Sequence, residues 1–61
     1  EMSRLLEELK GQTVKVTVNG FGTTWEIVDF DEDWVKLTRV IHKQQRETKL
    51  VRIEDIQGIQ L

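Results

Sequence analysis

The first ten residues carry apolar positions at the spacing of an α-helix. Residues at i, i+3, i+4 and i+7 lie on one side of a helix. In this chain those positions are Met2, Leu5, Leu6 and Leu9. The pattern predicts a helix over residues 3–10 that stops at Gly11, because glycine is common just past a helix end. So short a helix is unstable alone in water, and we expect its leucines to pack against the rest of the domain.

After Gly11 the apolar positions follow the two-residue alternation of a β-strand. Val14, Val16 and Val18 are separated by polar residues, which predicts a strand with one buried face. Residues 19–22 contain an Asn-Gly pair and a second glycine, and they predict a turn. Residues 23–29 form a second predicted strand with apolar residues on both faces, which indicates a bend or bulge.

Three further strands complete the pattern. Residues 34–41 are strongly strand-forming, and the polar segment 42–47 joins them to residues 48–53 as a long hairpin. Glu54 and Asp55 interrupt the pattern, and Ile56, Ile59 and Leu61 then provide a short turn and a last strand. The sequence therefore predicts one mostly β domain over residues 1–61, in which an N-terminal helix precedes a small five-stranded antiparallel barrel.

The alternation also identifies a candidate hydrophobic core. Nine apolar residues are expected inside: Leu5, Leu9, Val14, Val16, Ile27, Leu37, Leu50, Ile53 and Ile59. Trp25 and Trp34 are expected to join them, because each indole can bury about 150 to 250 Å².

Length and composition favour self-association. A chain of 61 residues buries only about 60% of the surface that its unfolded form exposes, so its core is thin. Small domains gain support from disulfides, metals or oligomerisation, and this chain has no Cys and one His. We therefore expect the chain to be stabilised by assembly into a homo-oligomer.

The sequence also bears on compartment and membrane contact. No apolar run approaches the roughly 20 residues of a membrane span, and the amino terminus lacks the layout of a signal peptide. We therefore expect a soluble protein with no membrane partner. The absence of Cys fits a reducing compartment, which favours the cytoplasm.

Charges are segregated along the chain although the net charge is only −2. Every charged residue in the segment 26–33 is acidic, whereas the segment 36–52 is almost entirely basic. The candidate phosphate-binding residues of this segment are Arg39, Lys43, Arg46, Lys49 and Arg52. No aromatic residue is interleaved with them, so a solvated or intersubunit charge face is the favoured interpretation, and a nucleic-acid face is the alternative.

The residues with catalytic or metal-binding chemistry lack their usual partners. Asp29, Asp31 and Asp33 have the spacing that opens a calcium loop, but Trp34 and Val40 occupy its Gly and Glu positions. A solvated turn is therefore favoured. His42 and Ser3 are each the only residue of their type, so neither a metal site nor a nucleophile has support. We expect no enzyme activity, no metal, no cofactor and no small-molecule substrate.

Several positions resemble the first motif of the Sm-like family as bacterial Hfq proteins carry it. They are Val18, Asn19, Gly20, Ile27, Phe30, Asp31, Val35 and Leu37. The resemblance covers nearly the whole chain. It implies an Sm-like barrel that assembles into an oligomer, of which a ring is one form, and that binds RNA. In such an assembly the fourth strand of one copy pairs with the fifth of the next. The expected interface residues are Val51, Ile53, Ile59 and Leu61.

The chain departs from the family at the positions that contact bases. Glu32 and Asp33 stand where Hfq proteins carry a Gln and an aromatic residue, and the segment 52–54 replaces a Tyr-Lys-His stretch. Val35 stands where other Sm proteins carry a base-reading Asn. RNA contact is therefore expected at the basic hairpin instead. The alternative function is a peptide-binding, protein-binding or structural module without nucleic acid.

Overall fold

The computed structural model describes residues 2–61, with side chains from residue 4 onward. One α-helix is followed by five strands, and a single 3₁₀ turn lies between the last two. The elements are α1 (Met2–Leu9), β1 (Thr13–Val18), β2 (Phe21–Phe30), β3 (Trp34–His42), β4 (Gln45–Arg52), the 3₁₀-helix Ile53–Asp55 and β5 (Ile56–Gln60). The predicted place of the Met2 side chain on the leucine stripe lies outside the described residues, and so does the side chain of Ser3.

The strands form one antiparallel sheet in the order β4-β3-β2-β1-β5. This confirms the prediction of a mostly β chain with a short N-terminal helix. The sheet is not closed into a barrel, so the Sm-like barrel stays a prediction. The 3₁₀-helix carries the chain away from β4, and β5 then pairs with β1 through contacts such as Val16 with Ile59. Strands β4 and β5 are consequently the two edges of the sheet.

The helix stops where the sequence predicts, and its end is attached to the sheet. Gly11 adopts a left-handed conformation with φ of 85°, which suits glycine at this position. Its N–H donates a hydrogen bond to the Ile27 carbonyl at 2.8 Å. This attachment holds α1 over one side of the sheet, where Leu6 is completely buried.

The core lies on the side of the sheet that the helix covers, and we call this side the inner face. Its buried residues are Leu6, Val14, Val16, Trp25, Ile27, Val35, Leu37 and Val51. Leu9, Ile53 and Ile59 are partly buried against it, as expected. The predictions for Leu5 and Leu50 are wrong, since these side chains are 47% and 60% exposed. In each case the adjacent apolar residue faces inward instead.

A tight turn connects the two strands of the β1–β2 hairpin, and another connects those of the β3–β4 hairpin. Asn19 and Gly20 have φ of 53° and 81°, the left-handed pair that a two-residue hairpin turn requires. The β3–β4 turn also has two residues between the paired His42 and Gln45, so these strands are longer than the sequence predicts. A register shift between Ile27 and Asp29 in β2 confirms the predicted bulge. No helix in the described part of the chain is long and apolar enough to cross a membrane.

Candidate functional site

The five candidate phosphate-binding residues lie in the β3–β4 hairpin but not on one surface. Successive side chains of a strand point to opposite faces, and paired residues share a face. Arg39 and Lys49 therefore lie on the inner face with the buried Leu37, whereas Arg46 and Arg52 lie on the outer face. Lys43 occupies the turn with φ of 51°. The hairpin thus presents its positive charge to both sides of the sheet.

Three of these residues have partners that fix their positions. The Arg39 Nε donates to Glu47 Oε1 at 2.8 Å, and its guanidinium lies 4.6 Å from the centre of the Trp25 ring. Arg46 Nη2 lies 3.3 Å from Glu26 Oε1. Arg52 stacks over a second indole, at 4.7 Å from the Trp34 ring centre. Each ion pair is partly exposed, so it contributes roughly 0 to 1 kcal/mol to stability and can exchange for another anion.

A cleft opens where the two hairpins separate. Pairing between β2 and β3 ends at Glu26 and Thr38, so beyond this point the β1–β2 and β3–β4 hairpins diverge. The cleft between them measures about 490 Å³. Three threonines, one tryptophan, two arginines, one glutamate and one valine line it: Thr13, Thr23, Thr24, Trp25, Arg39, Arg46, Glu26 and Val40. We call it the hairpin cleft.

A second depression on the inner face adjoins the hairpin cleft, because Thr23 and Trp25 line both. It measures about 220 Å³, and its lining includes Asn19, Phe21 and Lys49. The Phe21 ring at the hairpin tip is 78% exposed. An exposed ring beside an ammonium group is an arrangement that single-stranded nucleic acid can use for stacking and phosphate contact.

Trp34 is not part of the core, contrary to the sequence prediction. Its side chain is 38% exposed at the start of β3, where a one-residue offset from the buried Val35 places it on the outer face. A shallow depression of about 220 Å³ beside it is lined by Lys36 and Leu50 but also by Asp29 and Asp31. These two carboxylates oppose the approach of phosphate to this part of the outer face.

The acidic segment between β2 and β3 forms a hydrogen-bonded turn. Asp31 Oδ1 accepts hydrogen bonds of 2.8 Å from the backbone N–H groups of Asp33 and Trp34. These bonds, the one from Trp34 foremost, hold the pKa of Asp31 below its ordinary value of 3.8. A bond from the Phe30 N–H and the nearby Lys10 ammonium lower the pKa of Asp29 in the same direction. The carboxylates thus stabilise the turn, in line with the solvated-turn prediction.

His42 lies exposed at the end of β3. Across residues 4–61, no group of three or more His, Cys, Asp or Glu side chains is placed to hold a metal ion.

The two sheet edges carry the predicted interface residues in different environments. Val51 is buried in the core with 7% exposure, and Ile53 and Ile59 pack partly against the core. Leu61 is 86% exposed. It lies with Leu5 at a groove of about 320 Å³ between α1 and β5, which Leu9 and Ile59 complete. We call this the helix–edge groove.

The opposite edge offers exposed apolar residues as well. Val40, Ile41 and Leu50 in the β3–β4 hairpin are each more than half exposed. The two edges also differ in charge. Strand β4 contains Arg46, Lys49 and Arg52 against the single acid Glu47, whereas Glu54 and Asp55 immediately precede β5 and Glu8 lines the helix–edge groove.

Sequence reasoning missed the residues that depend on contacts between hairpins. Arg39 and Glu47 are paired in the β3–β4 hairpin, but the sequence prediction places Glu47 in the connecting segment 42–47. A register shift between Val40 and His42 also offsets the two strands, so the sequence carries no signal for this pairing. Nothing in the sequence indicates that Thr13, Thr23 and Thr24 line a common cleft. Comparison with protein-family models, curated proteins and solved structures finds no match to this chain.

Proposed function

We propose that the chain is a non-enzymatic, Sm-like subunit that associates with copies of itself and binds RNA. The observation that carries this proposal is the open sheet with β4 and β5 as its two unpaired edges. An exposed strand edge offers backbone N–H and C=O groups to another chain, and natural proteins normally cover such edges. The strand order leaves β4 and β5 free for the contact that the resemblance of the Val18–Leu37 segment to the Sm motif implies.

The edges favour head-to-tail association of β4 in one copy with β5 in the next. Each edge has an exposed leucine beside it, Leu50 at one and Leu61 at the other. Contact between two different surfaces is heterologous, so it closes into a ring when the rotation per copy allows closure. Self-association would also add buried apolar surface to a thin core.

The basic hairpin supports RNA as the ligand. Arg39 and Arg46 line the hairpin cleft, and Lys49 lines the adjoining depression with Phe21. The cationic groups suit the phosphates of a single strand, and the exposed Phe21 ring suits a base. The acidic Glu32, Asp33 and Glu54 occupy the positions of the Sm-like base contacts, so the proposed contact lies on the hairpin and not at those positions.

The test is a titration of labelled short single-stranded RNA at two salt concentrations, together with the mass of the protein in solution. We expect an oligomer whose RNA affinity falls as salt rises, because each phosphate contact releases counterions. Changing Arg46 and Lys49 together to Glu should abolish binding and leave the oligomer intact. Glu32→Gln is the control and should bind as the unmodified chain does.

The alternative function, a peptide- or protein-binding module, has one specific observation in its favour. The helix–edge groove is mostly apolar and adjoins the unpaired edge of β5, a surface to which an extended peptide adds as an extra strand. Absence of RNA binding at low salt would favour this module. A stable monomer at tens of micromolar concentration would contradict the oligomer.

A further inference from the structure

We propose that the hairpin cleft is a nucleotide site, in which the Arg39 guanidinium stacks on a base and Arg46 binds the adjoining phosphate. The inference deepens the RNA binding proposed above and rests on it, since it names the point of contact and the two chemical groups that the protein takes there.

Two contacts fix the position of the Arg39 guanidinium. Its carbon lies over the Trp25 ring, 4.6 Å from the ring centre, and its Nε donates to Glu47 Oε1 at 2.8 Å. The indole itself is only 7% exposed, so a base cannot stack directly on it. The Arg39 side chain keeps 39% exposure and lines the cleft. A base that stacks on its free face would complete a three-layer arrangement of base, guanidinium and indole, and guanidinium planes are common stacking surfaces for unpaired bases.

Arg46 supplies the charge for the phosphate. Its side chain is half exposed, and its only carboxylate partner among the described residues is Glu26 at 3.3 Å. Such an exposed pair is weak, whereas a guanidinium can bind a phosphate through two parallel hydrogen bonds. Phosphate can therefore displace Glu26 from Arg46. Because Glu26 competes with phosphate for Arg46, it lowers the affinity of the cleft for RNA.

The remaining lining suits the sugar and the phosphate oxygens. Thr13, Thr23 and Thr24 line the cleft, and threonine hydroxyls are frequent partners of the nucleic-acid backbone. The volume of about 490 Å³ lies within the range of roughly 300 to 1,000 Å³ that small-ligand sites occupy. By contrast, the Trp34 and Arg52 pair on the outer face adjoins Asp29 and Asp31, whose charges repel phosphate.

Three ligands are titrated into the unmodified protein. Together they distinguish binding of the base from binding of the phosphate, and binding of RNA from binding of a free nucleotide. They are a short uridine RNA, the same strand without its bases, and uridine monophosphate. NMR spectra report the indole N–H of each tryptophan and the Nε–H of each arginine. We expect the RNA to shift the signals of Trp25 and Arg39 and to leave Trp34 unchanged. The strand without bases should bind on the order of tenfold more weakly, because it loses one stacked base.

Paired variants test each role. Arg39→Lys keeps the charge and removes the flat group, so it should weaken RNA binding but not binding of the strand without bases. Arg46→Gln should weaken both probes by about tenfold or more, as expected for loss of a charged hydrogen bond. The matched control is Arg52→Gln, which removes the same charge outside the cleft and should change affinity much less. Glu26→Gln should raise affinity, because it frees Arg46.

The outcomes distinguish this site from the broader function. RNA binding that leaves Trp25 and Arg39 unshifted, with equal losses in Arg46→Gln and Arg52→Gln, would overturn the nucleotide site and keep RNA binding. Shifts with uridine monophosphate but none with RNA would keep the site and overturn the RNA function. No shift with any probe at low salt would overturn both.

Discussion

At two places in this chain, adjacent apolar residues differ sharply in burial, because only one side chain of the pair faces inward. Leu6 is buried and Leu5 is half exposed, while Val51 is buried and Leu50 is mostly exposed. Hydrophobicity alone cannot separate such neighbours, since a shift of one residue moves a side chain to the other face of a strand. The sequence therefore predicts where apolar segments lie more reliably than which member of a pair enters the core.

This difference predicts unequal costs for the same substitution at neighbouring positions. Leu6→Ala removes a completely buried side chain and should lower the free energy of unfolding by about 2 to 5 kcal/mol. Leu5→Ala should cost less than about 1 kcal/mol, because much of that side chain already faces water. Urea denaturation followed by tryptophan fluorescence measures both. Equal losses would mean that the helix docks through a different side.

The acidic turn predicts how stability depends on pH. The pKa of Asp31 is lowered in the folded chain from 3.8 by its bonds to the Trp34 and Asp33 N–H groups, and the pKa of Asp29 is lowered as well. A folded pKa below the unfolded value gives stability that is present above the unfolded pKa and is lost as pH falls through the folded value. Stability should therefore decline as pH falls below about 4.

Asp31→Asn tests the origin of that decline. Asparagine keeps an acceptor oxygen for the turn but has no ionisable group, so the variant should lose part of the pH dependence. Thermal unfolding between about pH 6 and pH 2 measures the change. Glu32→Gln, a neighbouring exposed residue, serves as the control. An unchanged pH profile in Asp31→Asn would contradict the assignment of the decline to this turn.

At the level of elements, local patterns predict the helix and the strands but not their partners. The change of period at Gly11 locates α1 and β1, and the Asn19–Gly20 pair locates the first turn. Alternation assigns the faces of a strand and carries no information about which strands pair. Closure of the barrel depends on such long-range pairing. So does the hairpin cleft, which exists because β2–β3 pairing ends at Glu26 and Thr38.

The two edges predict a mixing experiment that tests the direction of assembly. Leu50→Lys places an unpaired charge on the β4 edge, and Leu61→Lys places one at the helix–edge groove. Burying such a charge is costly, so each variant alone should be monomeric. Mixed in equal amounts, they should form one-to-one dimers, because each variant retains the surface that the other has lost. Analytical ultracentrifugation measures all three samples.

The mixing experiment also identifies other modes of association. A Leu50→Lys variant that still self-associates would indicate contact between two β5 edges, and a Leu61→Lys variant that does so would indicate contact between two β4 edges. Both positions are exposed in the single chain, at 60% and 86%, so each change should alter folding stability by no more than about 0.5 kcal/mol. Ile59 is less suitable, since it packs against the core.

For the whole molecule, the distribution of charge over the surface says more about a binding partner than the net charge does. The net charge of −2 gives little indication of a polyanion partner, yet the fold separates a basic β3–β4 hairpin from acidic residues near β5. The basic segment was readable from the sequence, but the acidic segment 26–33 lies in β2 and the turn after it, so it does not supply the acids near β5. Those acids are Glu54 and Asp55, and their placement opposite the basic edge required the strand order.

The dissimilar edges of the sheet give the proposed assembly a polarity. In head-to-tail association no two-fold axis relates neighbours, so every copy turns its hairpin in the same direction and the assembly has two chemically different sides. One side then presents a row of equivalent sites to a single strand. Once one nucleotide is bound, the next site on the row experiences a high local concentration of the same strand, and weak individual contacts sum to strong avidity. A long RNA should thus gain far more from assembly than a short one, and Leu50→Lys should remove that gain while it leaves the short RNA bound.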